Sequence, residues 1–505
     1  MSKENISKKL NLLHSLLNEV NNLKHIQNVL SYDEETICPK KALFFHDENI
    51  IFISNQIFKI TNSHEYKNVI IELHKHIKEV DSIYDKRLIE VLFNRYLDEA
   101  QMDENLNTQF SEVMTKGFAS WINAKEQNDY SLFKDTLSEI LAISKKVKSI
   151  SLKPSYSNLL NQLMDDYEEG MTTEILDPFF EKIKGSIIPL LKQIKNSKVK
   201  IRTDFINRKV PHCKQIEFAN YLLETIGFDF SRGVLGEAEH PFTNSLNYDD
   251  HRVTTHVYED NFISNMYSVI HEGGHAIFGQ SIPKIMYDHH IDSFRSLGED
   301  ESSSRFFENI IGRSRSFIKL IYPKFQEIFC PIFNDVSEED LYLAVNQVVP
   351  GPIRTESDEL TYTLHIIIRY ELEKEIVNNN ISLDNLNLLW NKKYKEYLGV
   401  EVESDKDGIL QDVHRSSGFG YFPTYAIGNA YNSMYFEKMK NDLDVNKLIE
   451  SNNIKEVTNW LQNNIYEKAS YLSPKEWIVS IVGKELEPDA FINYLETKYK
   501  EIYNI

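Results

Sequence analysis

Two histidines four residues apart, with a glutamate beside the first, are the residues of this chain best placed to do chemistry: His271-Glu272-Gly273-Gly274-His275. At helical spacing His271 and His275 share one face and can share a metal ion, while Glu272, about 100° round the helix, reaches a water beside it. The order is the H-E-x-x-H pattern of hydrolytic zinc sites, in which the glutamate acts as general base. A catalytic zinc takes three protein ligands and keeps a fourth position open, so a third donor is expected downstream. Spacing leaves Asp288, Asp292, Glu299, Asp300, Glu301 and Glu308 open for that role. His289 and His290 are rival donors, although a His-His pair in a polar loop reads more simply as solvated.

The elements that must hold these groups follow from periodicity. Ile263, Met266 and Ile270 recur at i, i+3 and i+7, so the motif sits on a helix. Gly273 and Gly274 each cost about 1 kcal/mol against alanine inside a helix, which is expected only where another backbone or a substrate comes close. A second helix beginning near Leu297 and reaching Glu308 would turn a carboxylate toward the first. The β-branched alternation of Arg252-Val253-Thr254-Thr255-His256-Val257-Tyr258 reads as a strand after an Asn247–Asp250 turn. Its edge, beside the metal helix, could pair with an extended peptide. Elsewhere helical spacing dominates, as in Leu10, Leu13, Leu16, Leu17 and Val20, or Leu137, Ile140, Leu141 and Ile143. The expectation is a mainly α fold: one body over 1–505, with approximate lobes at 1–200 and 201–505, and short strands near 201–210 and 242–258.

Six separated motifs then resemble the carboxypeptidase Taq type of metallocarboxypeptidase. They are His240-Pro241-Phe242, Asp250-His251-Arg252-Val253-Thr254, the His271–His275 motif, Asp300-Glu301-Ser302-Ser303, Ile353-Arg354-Thr355-Glu356-Ser357-Asp358 and Gly408-Ile409-Leu410-Gln411-Asp412-Val413-His414-Arg415. The resemblance implies that His271, His275 and Glu301 are the metal ligands and Glu272 the acid/base. It also implies a large helical zinc-peptidase body, a deep cleft between the 1–200 helical wall and the metal-bearing 201–505 half, and a homodimer. Two positions depart from the family pattern. Asp300 and Ser303 stand where the family has His and Gln around the ligand, and Arg415 stands where its last motif ends in Trp. The first change touches groups that orient metal ligands, and the second puts a guanidinium where an apolar wall is usual.

An enzyme acting at a free C terminus must bind a carboxylate, which arginine does with a planar fork. Arg354, framed by the Val348-Val349-Pro350-Gly351-Pro352 turn and the apolar helix at Leu360–Ile368, and Arg252, on the strand, are the two candidates. Arg252 and His240 would line the substrate groove. Peptide hydrolysis also needs a donor for the tetrahedral oxyanion, for which His414, Tyr421 and Tyr425 are available and His414 and Tyr425 preferred. The reading is a metal-dependent carboxypeptidase with one divalent ion per chain, Zn2+ first and Co2+ or another ion able to substitute. The alternatives are an oligopeptidase cutting internal bonds of short peptides, or a catalytically impaired peptide-binding protein.

Composition bounds the partners. The chain has 505 residues, 41% of them hydrophobic, enough for a substantial core. With 76 acidic against 56 basic residues the formal charge is −20, which argues against nucleic-acid or anionic-membrane partners. Cys38, Cys213 and Cys330 are odd in number and widely spaced, as in a reducing compartment, and no apolar leader or membrane span is evident, so a cytoplasmic location is expected.

Overall fold

Leu13, Leu17 and Val20 fall on one stripe of the first helix, Lys3–Thr36, and are buried there, so that helix is held along its length by what it packs on. The computed structural model describes residues 1–505 apart from 101, 152–155, 157, 293–295, 379–380 and 470. Among the described residues the first 200 positions are mostly helical, including Leu43–Thr61, His64–Lys75, Ile83–Glu99, Glu104–Gln127, Ser131–Ser149 and Thr173–Lys195. Ile140 and Leu141 lie on the buried stripe of the Ser131–Ser149 helix, as their spacing requires. A continuous cluster of buried apolar side chains runs from Ile6 to Tyr503.

The β element has three strands: β1 (Gly233–Glu237), β2 (Thr243–Asn247) and β3 (Asp250–Thr255), in the order β1-β3-β2. β1 lies parallel to β3, with Val234 opposite Arg252, and β2 antiparallel, with Asn244 opposite Arg252. Two expectations are corrected here. Residues 201–210 form turns, closed by Ile206 N–H to Thr203 O and Arg208 N–H to Phe205 O, because Arg202 and Arg208 both reach Asp204 and Asp335 and fold the segment around those carboxylates. The strand bearing Arg252 is the middle one, so its backbone is already paired on both sides, and β2 is the edge strand on the hairpin side.

His251, fully buried, anchors this sheet to the metal helix. Its Nδ1 bonds Ser245 Oγ, its Nε2 bonds the Tyr248 carbonyl, and a Cβ at Gly279 would meet its ring at 2.8 Å. The helix that carries the His-Glu-x-x-His motif, Phe262–Ser281, is buried on nearly all sides. Both glycines of the motif answer close approach. A Cβ at Gly273 would meet Leu223 and Ile226 of the His212–Ile226 helix at 2.6 and 2.7 Å, and one at Gly274 would meet the Ser304 backbone at 2.7 Å. Ser304 belongs to the Leu297–Arg305 helix, which is sandwiched against the Pro423–Asp442 helix, where a Cβ at Gly428 would meet Glu301 at 3.0 Å. Small residues at 274, 302–304 and 428 therefore bring three backbones together around Glu301. A cavity of about 770 Å³, lined by Lys24 and His25 of the first helix, Arg95 of the Ile83–Glu99 helix and Leu246 of the hairpin, includes none of the His271–His275 motif.

Candidate metal centre

Helical spacing puts His271 and His275 side by side, their ring centroids 5.0 Å apart. Each imidazole is held by a carboxylate through Nδ1: His271 by Glu308 Oε2 at 2.9 Å and His275 by Asp300 Oδ1 at 2.8 Å. A carboxylate on Nδ1 requires a proton there, which leaves Nε2 as the atom of each ring that would bind a metal in place of a second proton. Glu301 Oε2 lies 3.8 Å from His275 Nε2. One donor atom from each of His271, His275 and Glu301 falls within 4.8 Å of the others, the two nitrogens and one oxygen that a tetrahedral divalent ion takes from protein. Burial opposes charge on His275, but Asp300, then Glu272 and Glu301, outweigh it and raise its pKa to about 10. This is a field that favours a cation, and it fits a metal.

Of the acidic residues left open by spacing, the structure brings Glu301 into the cluster and sets Asp300 and Glu308 behind it as acceptors for the imidazoles. Asp300, a departure from the family pattern, is thus a direct hydrogen-bond partner of His275. Ser303, the other departure there, is fully buried, its hydroxyl bonded to the Gly274 carbonyl and Tyr466 Oη. Glu299 points elsewhere: it is buried, and burial followed by the neighbouring Glu168 raises its pKa well above the carboxylate range.

Glu272 is 8% exposed and its Oε2 accepts a 2.8 Å hydrogen bond from Thr243 Oγ1, which also faces the Glu272 carbonyl. Thr243 opens β2, and no periodicity or motif chemistry pointed to it. On the other side, Arg305 donates from Nε to Glu301 Oε1 at 2.8 Å, sits 3.2 Å from Glu308 and stacks 3.9 Å over the Tyr362 ring. Burial works against the Glu308 charge, yet Arg305 and His271 hold its carboxyl well below the usual range.

Tyr362 links this cluster to Arg354. Its hydroxyl accepts from Arg354 Nη1 at 3.1 Å, and Asp412 accepts from Arg354 Nε at 2.9 Å. Arg354 is 7% exposed and begins the short 3-10 turn Arg354–Glu356. Asp412 also binds the fully buried Arg369, and although burial opposes its charge, the two guanidiniums hold it well below its ordinary pKa. Tyr425 completes this corner, its ring 5.1 Å from the Arg354 guanidinium and its hydroxyl 3.5 Å from His414 Nε2. Burial, then Arg354, lowers the His414 pKa to about 4, and burial raises that of Tyr425 well above its ordinary value. At neutral pH these are an uncharged imidazole and an intact phenol, two neutral hydrogen-bonding groups beside a cation.

Arg252 and His240 stand apart from that corner. The Arg252 fork is closed by Asp250, Nε to Oδ1 at 3.0 Å and Nη2 to Oδ2 at 2.9 Å, and its guanidinium lies 4.8 Å over Tyr32 of the first helix. His240 is exposed ahead of β2. Arg415 is 3% exposed and packs 4.8 Å over Trp390, so the guanidinium that replaces tryptophan faces the interior. Asp412 and Tyr362 were the residues of this site hardest to see: one is an unremarked member of the last motif, the other a tyrosine inside an apolar helix.

Residues 12–499 match the family described as carboxypeptidase Taq (M32) metallopeptidase. The chain is 36% identical over 490 residues to Carboxypeptidase 1 of Bacillus subtilis (strain 168), covering 97% of each protein. It is 34% identical over 409 residues to Thermostable carboxypeptidase 1 of Thermus thermophilus, covering 79% of this chain and 80% of that one. The crystal structure of the M32 carboxypeptidase from Deinococcus radiodurans R1 matches 99% of this chain and 100% of its own with a TM-score of 0.94 at 27% identity.

Proposed function

Because this chain belongs to the carboxypeptidase Taq (M32) metallopeptidase family and is a metal-dependent carboxypeptidase, we propose that His271, His275 and Glu301 hold its ion and that Glu272 is its acid/base. The observation that carries this is the convergence of three donor atoms within 4.8 Å, with both imidazoles held through Nδ1 by Glu308 and Asp300 so that Nε2 would be the atom to bind an ion. Two imidazoles and a carboxylate suit Zn2+ best, with Co2+ or another divalent ion able to substitute. Such an ion polarises a scissile carbonyl and acidifies a water.

The remaining steps belong to the chain's own side chains. Glu272, oriented by Thr243, takes the water's proton and returns it to the leaving amine. Tyr425 and His414 donate hydrogen bonds to the developing oxyanion, which is strongest where water is excluded. Arg354 receives the substrate's free C-terminal carboxylate. Arg252 and His240 flank the groove, Arg252 through a surface that Asp250 already neutralises.

The ligand assignment is tested by metal analysis after chelation and dialysis against Zn2+. Glu301→Ala should lower bound zinc by one equivalent and abolish peptide release, whereas Glu299→Ala keeps both. Asp300→Ala and Glu308→Ala, which strip an acceptor from an imidazole, should weaken zinc affinity about 10–100-fold without removing a ligand. Full occupancy and activity after Glu301→Ala would contradict the assignment.

The homodimer belongs to this reading too. Phe44, Phe45, Ile51 and Phe52 are exposed on the Leu43–Thr61 helix and offer an apolar face for a second copy. Sedimentation at twice the chain mass is the expected result, and a monomer at all concentrations rules the dimer out. A cytoplasmic setting is supported by the free thiols of Cys38, Cys213 and Cys330. The acidic surface favours peptides over nucleic acid or membrane as partners.

A further inference from the structure

A second convergence of imidazoles and a carboxylate lies outside the catalytic cluster, where the first helix, the Ile83–Glu99 helix and the turn after the short Lys284–Asp288 helix meet. Asp85 Oδ1 is 2.9 Å from His14 Nε2 and 2.7 Å from His289 Nδ1. The three residues each offer a donor atom within 4.8 Å of the others, and the Asp85 side chain is 10% exposed. The donors come from positions 14, 85 and 289, on three separate elements, so no local pattern of the chain produces the cluster.

Local structure shows that the carboxylate has been diverted. Asp85 is the third residue after the N-cap Ser82, whose hydroxyl accepts from the Asp85 backbone N–H. In that position an acidic side chain ordinarily reaches back to the cap's own N–H, as Asp340 does to Ser337 and Glu476 to Ser473 in this chain. Asp85 instead turns one oxygen onto two imidazoles. The turn that supplies the second imidazole carries a conformational cost, for His290 has φ of 57°, in the left-handed region. The His290 ring packs 5.4 Å from that of His14, and its Nδ1 is bound to Asn21 Nδ2 at 2.8 Å.

We propose that His14, Asp85 and His289 form a second site for a divalent transition-metal ion, Zn2+ in preference to Mg2+, which ties the first helix to the turn that follows the His-bearing helix. Two nitrogens and one carboxylate oxygen are the donor set that selects such an ion over the hard, oxygen-seeking Mg2+. Ligand atoms about 2.0–2.1 Å from a tetrahedral ion sit about 3.3 Å from one another, so the two Asp85 contacts would open by roughly half an ångström as the ion replaces the bridging protons, while the two imidazole nitrogens, within 4.8 Å of each other, settle at the same spacing. Water completes the coordination. Ligands on the N-terminal helices and on the segment that continues the Phe262–Ser281 helix give the ion a structural role distinct from hydrolysis, and it stabilises the fold by binding it in preference to the unfolded chain.

The test is stoichiometry. Chelated full-length protein is dialysed against micromolar Zn2+ with Mg2+ in large excess, and bound zinc is measured by elemental analysis. Two equivalents per chain are expected. His14→Gln with His289→Gln should retain one equivalent, lose the rise in Tm that accompanies the second, and keep kcat/KM for peptide release within about twofold. The variant His271→Ala with His275→Ala should also retain one equivalent, which separates this site from the catalytic one. A single equivalent in the wild type that the His271→Ala, His275→Ala variant loses overturns the proposal, as do two equivalents in the His14→Gln, His289→Gln protein. Should that double variant fail to fold, His289→Gln alone, at a turn, answers the same question: one equivalent is expected, and two overturn the proposal.

Discussion

Glu272→Gln should lower kcat by about 10²–10⁴-fold, the range that a general acid/base contributes, while zinc content stays at the wild-type value. The structure separates the two effects. Glu272 is not one of the three donors, and its Oε2 is engaged by Thr243 at 2.8 Å. A glutamine can still accept that hydroxyl through its carbonyl oxygen and keep the same rotamer, but it has no lone pair basic enough to take a proton from water. The loss should appear in kcat rather than KM, because substrate contacts are untouched. Single-turnover release measured with metal content on the same preparation checks it. Turnover within a few-fold of wild type would assign the base elsewhere.

Arg354→Ala should cost about 2–5 kcal/mol in kcat/KM for peptides with a free C terminus, the price of leaving a partly buried carboxylate unpaired. Asp412 and Tyr362 already take Nε and Nη1, which aims the guanidinium, and Nη2 is the nitrogen that the proposed contact would use. The variant should fold, since Asp412 keeps its bond to Arg369. Arg354→Lys should recover little, because a point charge cannot reproduce the fork. Arg252→Ala should cost much less, its fork being closed by Asp250. Peptides amidated at the C terminus should be poor substrates for the wild type and lose little more on mutation. Equal cleavage of amidated and free peptides at internal bonds would show that the chain end is not read at Arg354.

What could be read along the chain was what neighbouring residues determine. His271, Glu272 and His275 are related by helical geometry alone, so their shared face was legible from spacing, and the paired glycines announced a close backbone approach before its partner was known. The Leu297–Arg305 helix and the apolar helix after Arg354 were legible for the same reason, and family resemblance supplied Glu301 where spacing left six carboxylates open. The 201–210 segment was misread because the local sequence says nothing about Arg202 and Arg208 finding Asp335 more than a hundred residues away. The place of β3 in the middle of its sheet was equally invisible, since β1 had no signal and strand order depends on how the chain returns. Tertiary packing alone decided which carboxylates orient the histidines, that Arg354 meets Asp412 and Tyr362, and that Thr243 meets Glu272. It also decided that His14, Asp85 and His289 meet at all. Each of these is a contact between segments far apart in sequence, and such contacts are selected by the burial and close packing of whole helices rather than by any local propensity.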